Sequence, residues 1–498
     1  MITSPTERLA ARVADAGARA RATGRPVLVS VGARVPSADP LDVLDAVSRA
    51  SASDTTLAAL AAPGMYWTRP ADEFALAGFG AIATFAHAGA DRFTAIDREW
   101  SALVDDALVD DPSGGAAGVG PALVGGFAFD PDGPRSELWR GFSSADLVLP
   151  RLLLAVTGGE RWLTTSVVVG PDGCPDVPLA TLTRLRARLL DVPARGDGAA
   201  APGNGTLTMV DARSADAWRA LVAAAVDAIR AGTMEKVVLA REVRARASRE
   251  IDVVATLREL RATHPRCYVF GYWRGDRAFV GASPERLVRV DGREVRASSL
   301  AGSARRGAAR DADAAHATRL LASAKERVEH EVVRRALCAS LAELCDDVTT
   351  ATGPSLLSLP HVHHLHTAVR ARLRGGHSLL DLLARLHPTP AVGGAPRDVA
   401  LQFIRAHEEL DRGWYAAPVG WLQRDRGEFA VALRSALVRG TDASLFAGCG
   451  VVGDSDPERE YAESLLKLVP MQQALGAAIA AAGAGRPPVA APILEGAR

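Results

Sequence analysis

Among 58 basic residues only Lys236, Lys325 and Lys467 are lysines; the rest are arginines. A guanidinium keeps its proton, whereas a primary amine can become a neutral base. The three lysines are therefore either leftovers or places where an exchangeable proton matters. Carboxylates stand near them. Glu329 shares a helical side with Val328, Val332, Val333 and Ala336, and a carboxylate beside an apolar stripe is costly unless paired or bound to a metal. In "EREYAESLLK", Glu460, Glu463 and Lys467 fall three and four apart on one face. They read either as a solvated Glu463–Lys467 pair or, if two helices meet, as part of an oxygen-ligand set suited to Mg²⁺. Glu285, in "GASPERLV", follows a Ser-Pro turn between two strand-like runs. It is a surface turn residue, or a general acid if its pKa is raised.

Four irregular stretches could shape a site. "LAGSARRG", 300–307, reads as a Gly/Ser loop whose backbone N–H groups could hold a carboxylate or phosphate. "FAGCGVV", 446–452, reads as a Gly-x-Gly turn at a strand end, without the full dinucleotide fingerprint. "HVHHLH", 361–366, admits zinc, one substrate-contacting histidine or structural roles. In an extended chain His361 and His363 face one way, His364 and His366 the other. No HExxH and no cysteine cluster accompany it. "HPTPAVGG", 387–394, surrounds Ala391 with two prolines and two glycines, a stiff loop displaying an inert side chain.

The elements that must carry these residues are legible in part. Ser214 caps a helix with Trp218, Leu221, Val222, Ala225, Val226 and Ile229 at helical spacing, ended by Gly232. Lys236 opens the strand "KVVLARE"; "CYVFGYW", "AFVGAS", "RLVRV" and "EVRASSL" follow, the last two joined by an Asp291-Gly292 hairpin signal. A long helix is predicted from about Ala314 to Cys345, and a final one from Pro457 to about Pro470. "GWYAAPVGWL", "EFAVALRSALV" and "SLFAGCGVV" read as strands. Hairpins followed by helices predict an α+β architecture, a large antiparallel or mixed sheet covered by helices.

Before this lie strand-like "PVLVSVGA", "ALVGGFAFD" and "RWLTTSVVV", mixed with helices, the first helix amphipathic within residues 1–24. "PARGDGAAAPGNG", 193–205, reads as a linker. The chain thus divides into an N-terminal α+β region, 1–200, a catalytic region, 205–480, and a flexible tail, 481–498. Zero net charge without a basic stripe argues against nucleic acid. No run of about 20 apolar residues spans a bilayer. Five cysteines without CxxC spacing fit a reduced cytoplasm.

In this order, "KVVLARE", "SPERLV", "LAGSARRG", "LLASAKERVEHE", "HPTPAVGG", "RGWYAAPVGW", "ALRSALV", "FAGCGVV" and "EREYAESLLK" resemble the chorismate-utilising enzymes, and among them the isochorismate synthases. The resemblance covers about Thr206 to Leu475 and places all three lysines inside motifs. It implies Lys236 as general base, Glu285 as general acid, and Glu329 and Glu463 as Mg²⁺ ligands with Glu460 beside them. It puts Gly302 and Ser303 near the ring carboxylate of chorismate, and Tyr415, Arg434 and the Gly448 backbone near the enolpyruvyl carboxylate. His364 and Lys467 line the site. Relatives that use ammonia, or continue to salicylate, usually carry threonine at the position of Ala391, and the ammonia users lack a lysine at that of Lys236. Water as nucleophile and isochorismate as product are implied, by a cytoplasmic monomer feeding menaquinone or siderophore/salicylate synthesis. A salicylate synthase with an added pyruvate-lyase step, or an ammonia-dependent anthranilate or aminodeoxychorismate synthase component, is the alternative. One departure is Ala417, where relatives usually have glycine; a small local effect is expected.

Overall fold

The computed structural model describes residues 4–36, 38–50, 64–133, 135–191 and 205–480. The expected linker, but for Gly205, and the expected tail lie outside them. The fold is α+β: one continuous β-ladder curls into two layers with helices outside. Among the described residues every named strand pair is antiparallel except Val27–Arg34 with Leu108–Asp110.

The first run starts at Leu207–Asp211 and passes through Lys236–Ala247, Asp442–Val451, Ser435–Arg439, Arg277–Ser283 and Tyr268–Arg274. It then enters the N-terminal half at Met65–Arg69, Phe74–His87 and Ala145–Thr157. The edge of Ala145–Thr157 divides: its later residues pair with Glu160–Val169, its first with Leu123–Phe127. The second run leaves from there through Pro418–Leu422, Arg426–Val431, Arg286–Asp291, Glu294–Arg305 and Val362–Leu373. Both sequence halves are therefore hydrogen-bonded into one sheet system.

The chain changes run at two corners. Ser283-Pro284-Glu285 joins Arg277–Ser283 to Arg286–Asp291. Ala432-Leu433-Arg434 joins Arg426–Val431 to Ser435–Arg439. Backbone bonds lock each corner to the other's strand: Val431 N–H donates to the Glu285 carbonyl at 3.1 Å and Ala282 N–H to the Arg434 carbonyl at 3.1 Å. Aromatic rings fill the space near the corners. Trp414 packs edge-on against Phe142 and Tyr272, with centroids 5.1 and 5.6 Å away. Phe127 meets Phe429 at 6.0 Å.

Ser214 caps the helix Ala215–Arg230, and the Asp291-Gly292 hairpin forms as expected. Five expectations are corrected. The helix predicted over 314–345 is two, Arg310–Ala322 and Ala324–Ala342, followed by the strand Cys345–Thr350. Ser323 sits extended between them and its hydroxyl accepts from Glu326 N–H at 3.4 Å, so capping wins over continuation. The last helix does not stop near Pro470 but runs Pro457–Ala480. An interior proline costs about 3 kcal/mol. Burial of Leu468, Met471, Leu475 and Ile479, each worth about 1.5–3 kcal/mol, offsets it.

"EFAVALRSALV" is two strands, broken at the second corner. "LAGSARRG" is not a loop: the strand Glu294–Arg305 runs through it, with a bulge at Gly302. "FAGCGVV" is not a turn either; Gly448 and Gly450 pair in register with Ala240 and Val238.

Candidate active site

The two corners open onto a cavity between the runs. Glu285 comes from the first corner and Arg434 from the second, and the strand Lys236–Ala247 forms one wall. Gly302, Ser303 and His364, from the paired strands Glu294–Arg305 and Val362–Leu373, line the cavity as well, as does Glu329. Tyr415, Gly448, Glu463, Lys467 and the methyl of Ala391 complete the lining. Two expected residues do not line it themselves. Lys236, 1 % exposed, reaches it through an ion pair with Glu329, Nζ to Oε1 2.8 Å. Glu460 stands behind it, its carboxylate 3.1 Å from Lys325.

Glu285 is buried, and that burial pushes its carboxyl up to about 8, although Lys236, Arg434 and Lys467 all pull it down. It keeps its proton at neutral pH, as a general acid must. Arg434 has a left-handed backbone, φ 51°, an uncommon conformation for a non-glycine residue. Enclosure lowers its pKa, and its Nη2 lies 3.2 Å from His364 Nε2. His364 is kept neutral by burial and then by Arg434 and Lys467; its Nδ1 lies 3.0 Å from Ser303 Oγ. His363 turns instead to Asp313 and Ser358, and His361 to Gln473, so the histidine run is shared among separate partners.

The carboxylates come as two matched pairs, Glu326 and Glu329 on Ala324–Ala342 and Glu460 and Glu463 on Pro457–Ala480. Burial and the neighbouring Glu329 raise Glu326 to about 7; burial and Glu463 raise Glu460. Burial acts against Glu463 as well, but Lys467, 2.6 Å away, holds its carboxyl below the ordinary range. Each chain lysine thus neutralises one of these acids. Among the described residues no three acidic, histidine or cysteine side chains already converge as a metal cage. Mg²⁺ needs few protein carboxylates, completing its shell with water and substrate oxygens. Carboxylates crowded enough to raise one another are groups whose repulsion a divalent cation would relieve, so this set fits such an ion.

The loop bearing Ala391 is stitched to the base strand. Gly394 pairs with Val237 and Ala395 with Lys236, while Val238 N–H donates to the Gly393 carbonyl at 2.8 Å. A Cβ on Gly394 would lie 2.4 Å from the Lys236 carbonyl oxygen, so this approach requires glycine. Ala417 is fully buried and is not among the residues of positive φ; its neighbour Ala416 is, at 61°. The residue type at 417 is therefore not under backbone strain.

Three residues of the site escaped sequence reasoning. Glu326 accepts the Ser303 N–H at 3.0 Å, occupying a group expected to be free. Its signal was available: it precedes Glu329 by three, as Glu460 precedes Glu463. Gly450 leaves room for the Lys236–Glu329 pair; a Cβ there would stand 2.3 Å from Glu329 Oε1 and 2.9 Å from Lys236 Cε. Arg412 borders the cavity with its donors already given to the carbonyls of Val392 and Val238. Wider clefts of about 1100 and 720 Å³ lie elsewhere. In the first, arginines are matched by acids, as in Arg244–Glu242, Arg246–Asp442 and Arg277–Glu137.

Residues 14–476 match the family model described as chorismate binding enzyme, and the chain belongs to that family of enzymes. It is 40 % identical over 462 residues to the salicylate biosynthesis isochorismate synthase of Pseudomonas aeruginosa, covering 92 % of each chain. It is 33 % identical over 481 residues to the isochorismate synthase MenF of Bacillus subtilis, covering 96 % of this chain and 99 % of that one. Among solved structures it resembles MenF, the menaquinone-specific isochorismate synthase of Escherichia coli, with TM-score 0.71 and 25 % identity over 94 % of this chain and 99 % of that one. Among the described residues no helix is long and apolar enough to cross a membrane.

Proposed function

We propose that the protein is an isochorismate synthase, isomerising chorismate by adding water at C2 and losing the C4 hydroxyl as water while the ring double bonds shift. One observation carries the reading: a proton-retaining carboxyl, Glu285, and an amine, Lys236, serve one cavity to which the loop contributes only the apolar side chains of Ala391 and Val392. Arg434 and the Tyr415 hydroxyl hold the enolpyruvyl carboxylate, with the Gly448 backbone beside them. Ser303, after Gly302, faces the ring carboxylate. His364 fixes both groups, since its two ring nitrogens meet Arg434 and Ser303. Lys467 donates to the Gly448 carbonyl at 2.9 Å and holds Glu463 in place.

Lys236 takes the proton of the attacking water once it has left Glu329 and stands neutral. Glu285 gives its proton to the departing C4 oxygen. Each transfer contributes about 10²–10⁴-fold. A Mg²⁺ held by Glu329 and Glu463, with Glu460 and Glu326 behind them, would supply positive charge against the ring carboxylate. The void itself, about 60 Å³, is smaller than most ligand sites, so binding must push the charged side chains apart. Ala391 cannot hydrogen-bond a second nucleophile or a leaving enolpyruvyl oxygen.

The test is incubation of purified protein with chorismate and Mg²⁺, with separation of products. Isochorismate formed without pyruvate, and without ammonium, supports the reading; early stoichiometric pyruvate or an ammonium requirement replaces it with a salicylate or an ammonia-dependent synthase. The five cysteines are free thiols, which supports a cytoplasmic setting. A monomer acting on chorismate alone, with its product feeding menaquinone or salicylate/siderophore synthesis, completes the proposal.

A further inference from the structure

The strand that carries Lys236 and the loop that carries Ala391 lie far apart in sequence, yet the reaction proposed above needs them at a fixed separation. A single buried side chain touches both. Arg412, 4 % exposed, donates through Nη1 to the Val392 carbonyl at 2.9 Å and through Nη2 to the Val238 carbonyl at 2.7 Å. Its Nε donates to Glu408 Oε1 at 2.6 Å and Nη2 also meets Oε2. Glu408, 3 % exposed, accepts in turn from Ala240 N–H at 2.8 Å. The guanidinium carbon lies 4.1 Å over the ring of Phe129, which also meets His387, the first residue of the loop, at 5.8 Å. The Arg412 carbonyl accepts from Tyr415 N–H at 2.8 Å, so the same residue begins the turn that presents the tyrosine.

Four of the five N–H donors of an arginine are accounted for by these bonds. Substrate has no free fork to address, although Arg412 borders the cavity. The cleft of about 480 Å³ behind the same loop offers no comparable convergence. Its buried Arg92 is given to the carbonyls of Gly89 and Ala128, and its Arg397 to that of Arg385.

We propose that Arg412, oriented by Glu408, is a positioning residue that sets the distance between the base strand and the Ala391 loop. The proposal rests on the isochorismate-forming reading for its kinetic consequence, not for its structural one. A lysine at this position keeps the charge but has no planar fork to span two carbonyls and a carboxylate. Misplacing reacting groups by about 1 Å costs roughly 10²-fold.

The test compares wild type, Arg412→Lys, and the double variant Glu408→Gln with Arg412→Met, which removes both charges together and leaves no lone buried ion. Steady-state kinetics with chorismate and amide hydrogen exchange are read on each. The expected result is a kcat lower by about 10- to 100-fold with KM within about threefold, and faster exchange at the Val238 and Ala240 amides. Exchange and kcat both at wild-type values in either folded variant overturn the proposal, as does a rise in KM alone. Wild type that makes no isochorismate sinks the functional reading instead; unchanged exchange then still overturns the clamp, and faster exchange still supports it.

Discussion

Glu285→Gln should make the protein more stable as the pH rises, while destroying its catalysis. The folded protein holds the Glu285 proton to about pH 8, whereas an ordinary glutamate releases it near 4.5. Between those values the folded state binds more protons than the unfolded one, so this group's contribution falls as pH rises. The gap corresponds to about 5 kcal/mol at full development, at 1.36 kcal/mol per unit. Integrated over the window, the cost is about 1 kcal/mol at pH 5, 3 at pH 7 and nearly 5 at pH 9. A glutamine keeps the shape and never ionises. At about 2 cal/mol/K per residue, a chain of 498 residues gains roughly 1 °C in Tm per kcal/mol. The variant's Tm should therefore exceed wild type by about 1 °C at pH 5, 3 °C at pH 7 and 4–5 °C at pH 9. Differential scanning calorimetry across that range, at constant ionic strength, measures it. A gap independent of pH, or one that widens toward acid, refutes the claim that burial keeps this carboxyl protonated. Turnover of the same variant should fall by about 10²–10⁴-fold.

Gly450→Ala places a methyl where Glu329 Oε1 and Lys236 Cε now stand; kcat should drop at least about tenfold, measured beside an unchanged circular-dichroism spectrum. Arg434→Lys keeps a charge but loses the fork and strains no less at φ 51°; KM for chorismate should rise about 10- to 100-fold, worth roughly 1.4–2.8 kcal/mol, and an unchanged KM removes Arg434 from substrate binding. Chelation should abolish turnover and Mg²⁺ restore it, with Glu463→Gln needing a higher Mg²⁺ concentration for half-maximal rate. Equal activity in excess EDTA, after dialysis, counts against the metal.

The sequence made residue types legible and hid their meetings. Ser214 before its apolar period and Asp291-Gly292 between strands are local signals, and both elements formed. The corners are not local. "EFAVALRSALV" is apolar on both sides of a single Arg-Ser pair, and nothing in an arginine announces φ 51°; at the break Ala282 N–H donates to the Arg434 carbonyl, Ala416 N–H to that of Ala432 and Ala432 N–H to that of Ala417, all residues distant or outside the local pattern. Pro470 misled because proline's cost is local while the compensating burial of Met471 and Leu475 is tertiary. Ser323 could have been read, since Ser-x-x-Glu is a capping pattern, but an unbroken run of helix formers concealed it.

The lysine count is the instructive case. Basicity as a reason to keep an amine applies to Lys236 alone. All three lysines pair with acids of the two carboxylate-bearing helices, Lys236 with Glu329, Lys325 with Glu460 and Lys467 with Glu463. Size explains the set better. Even one methyl on Gly450 would come within 3.2 Å of the Lys236 nitrogen, leaving no room for a planar guanidinium. An arginine would also grip a carboxylate with two parallel bonds, whereas an ammonium makes single bonds that a divalent ion or a substrate can replace. Arginine, by contrast, fills the position that has to stay put, at 412. The division of labour follows from geometry: point charges where carboxylates must change partners, forks where strands must not move.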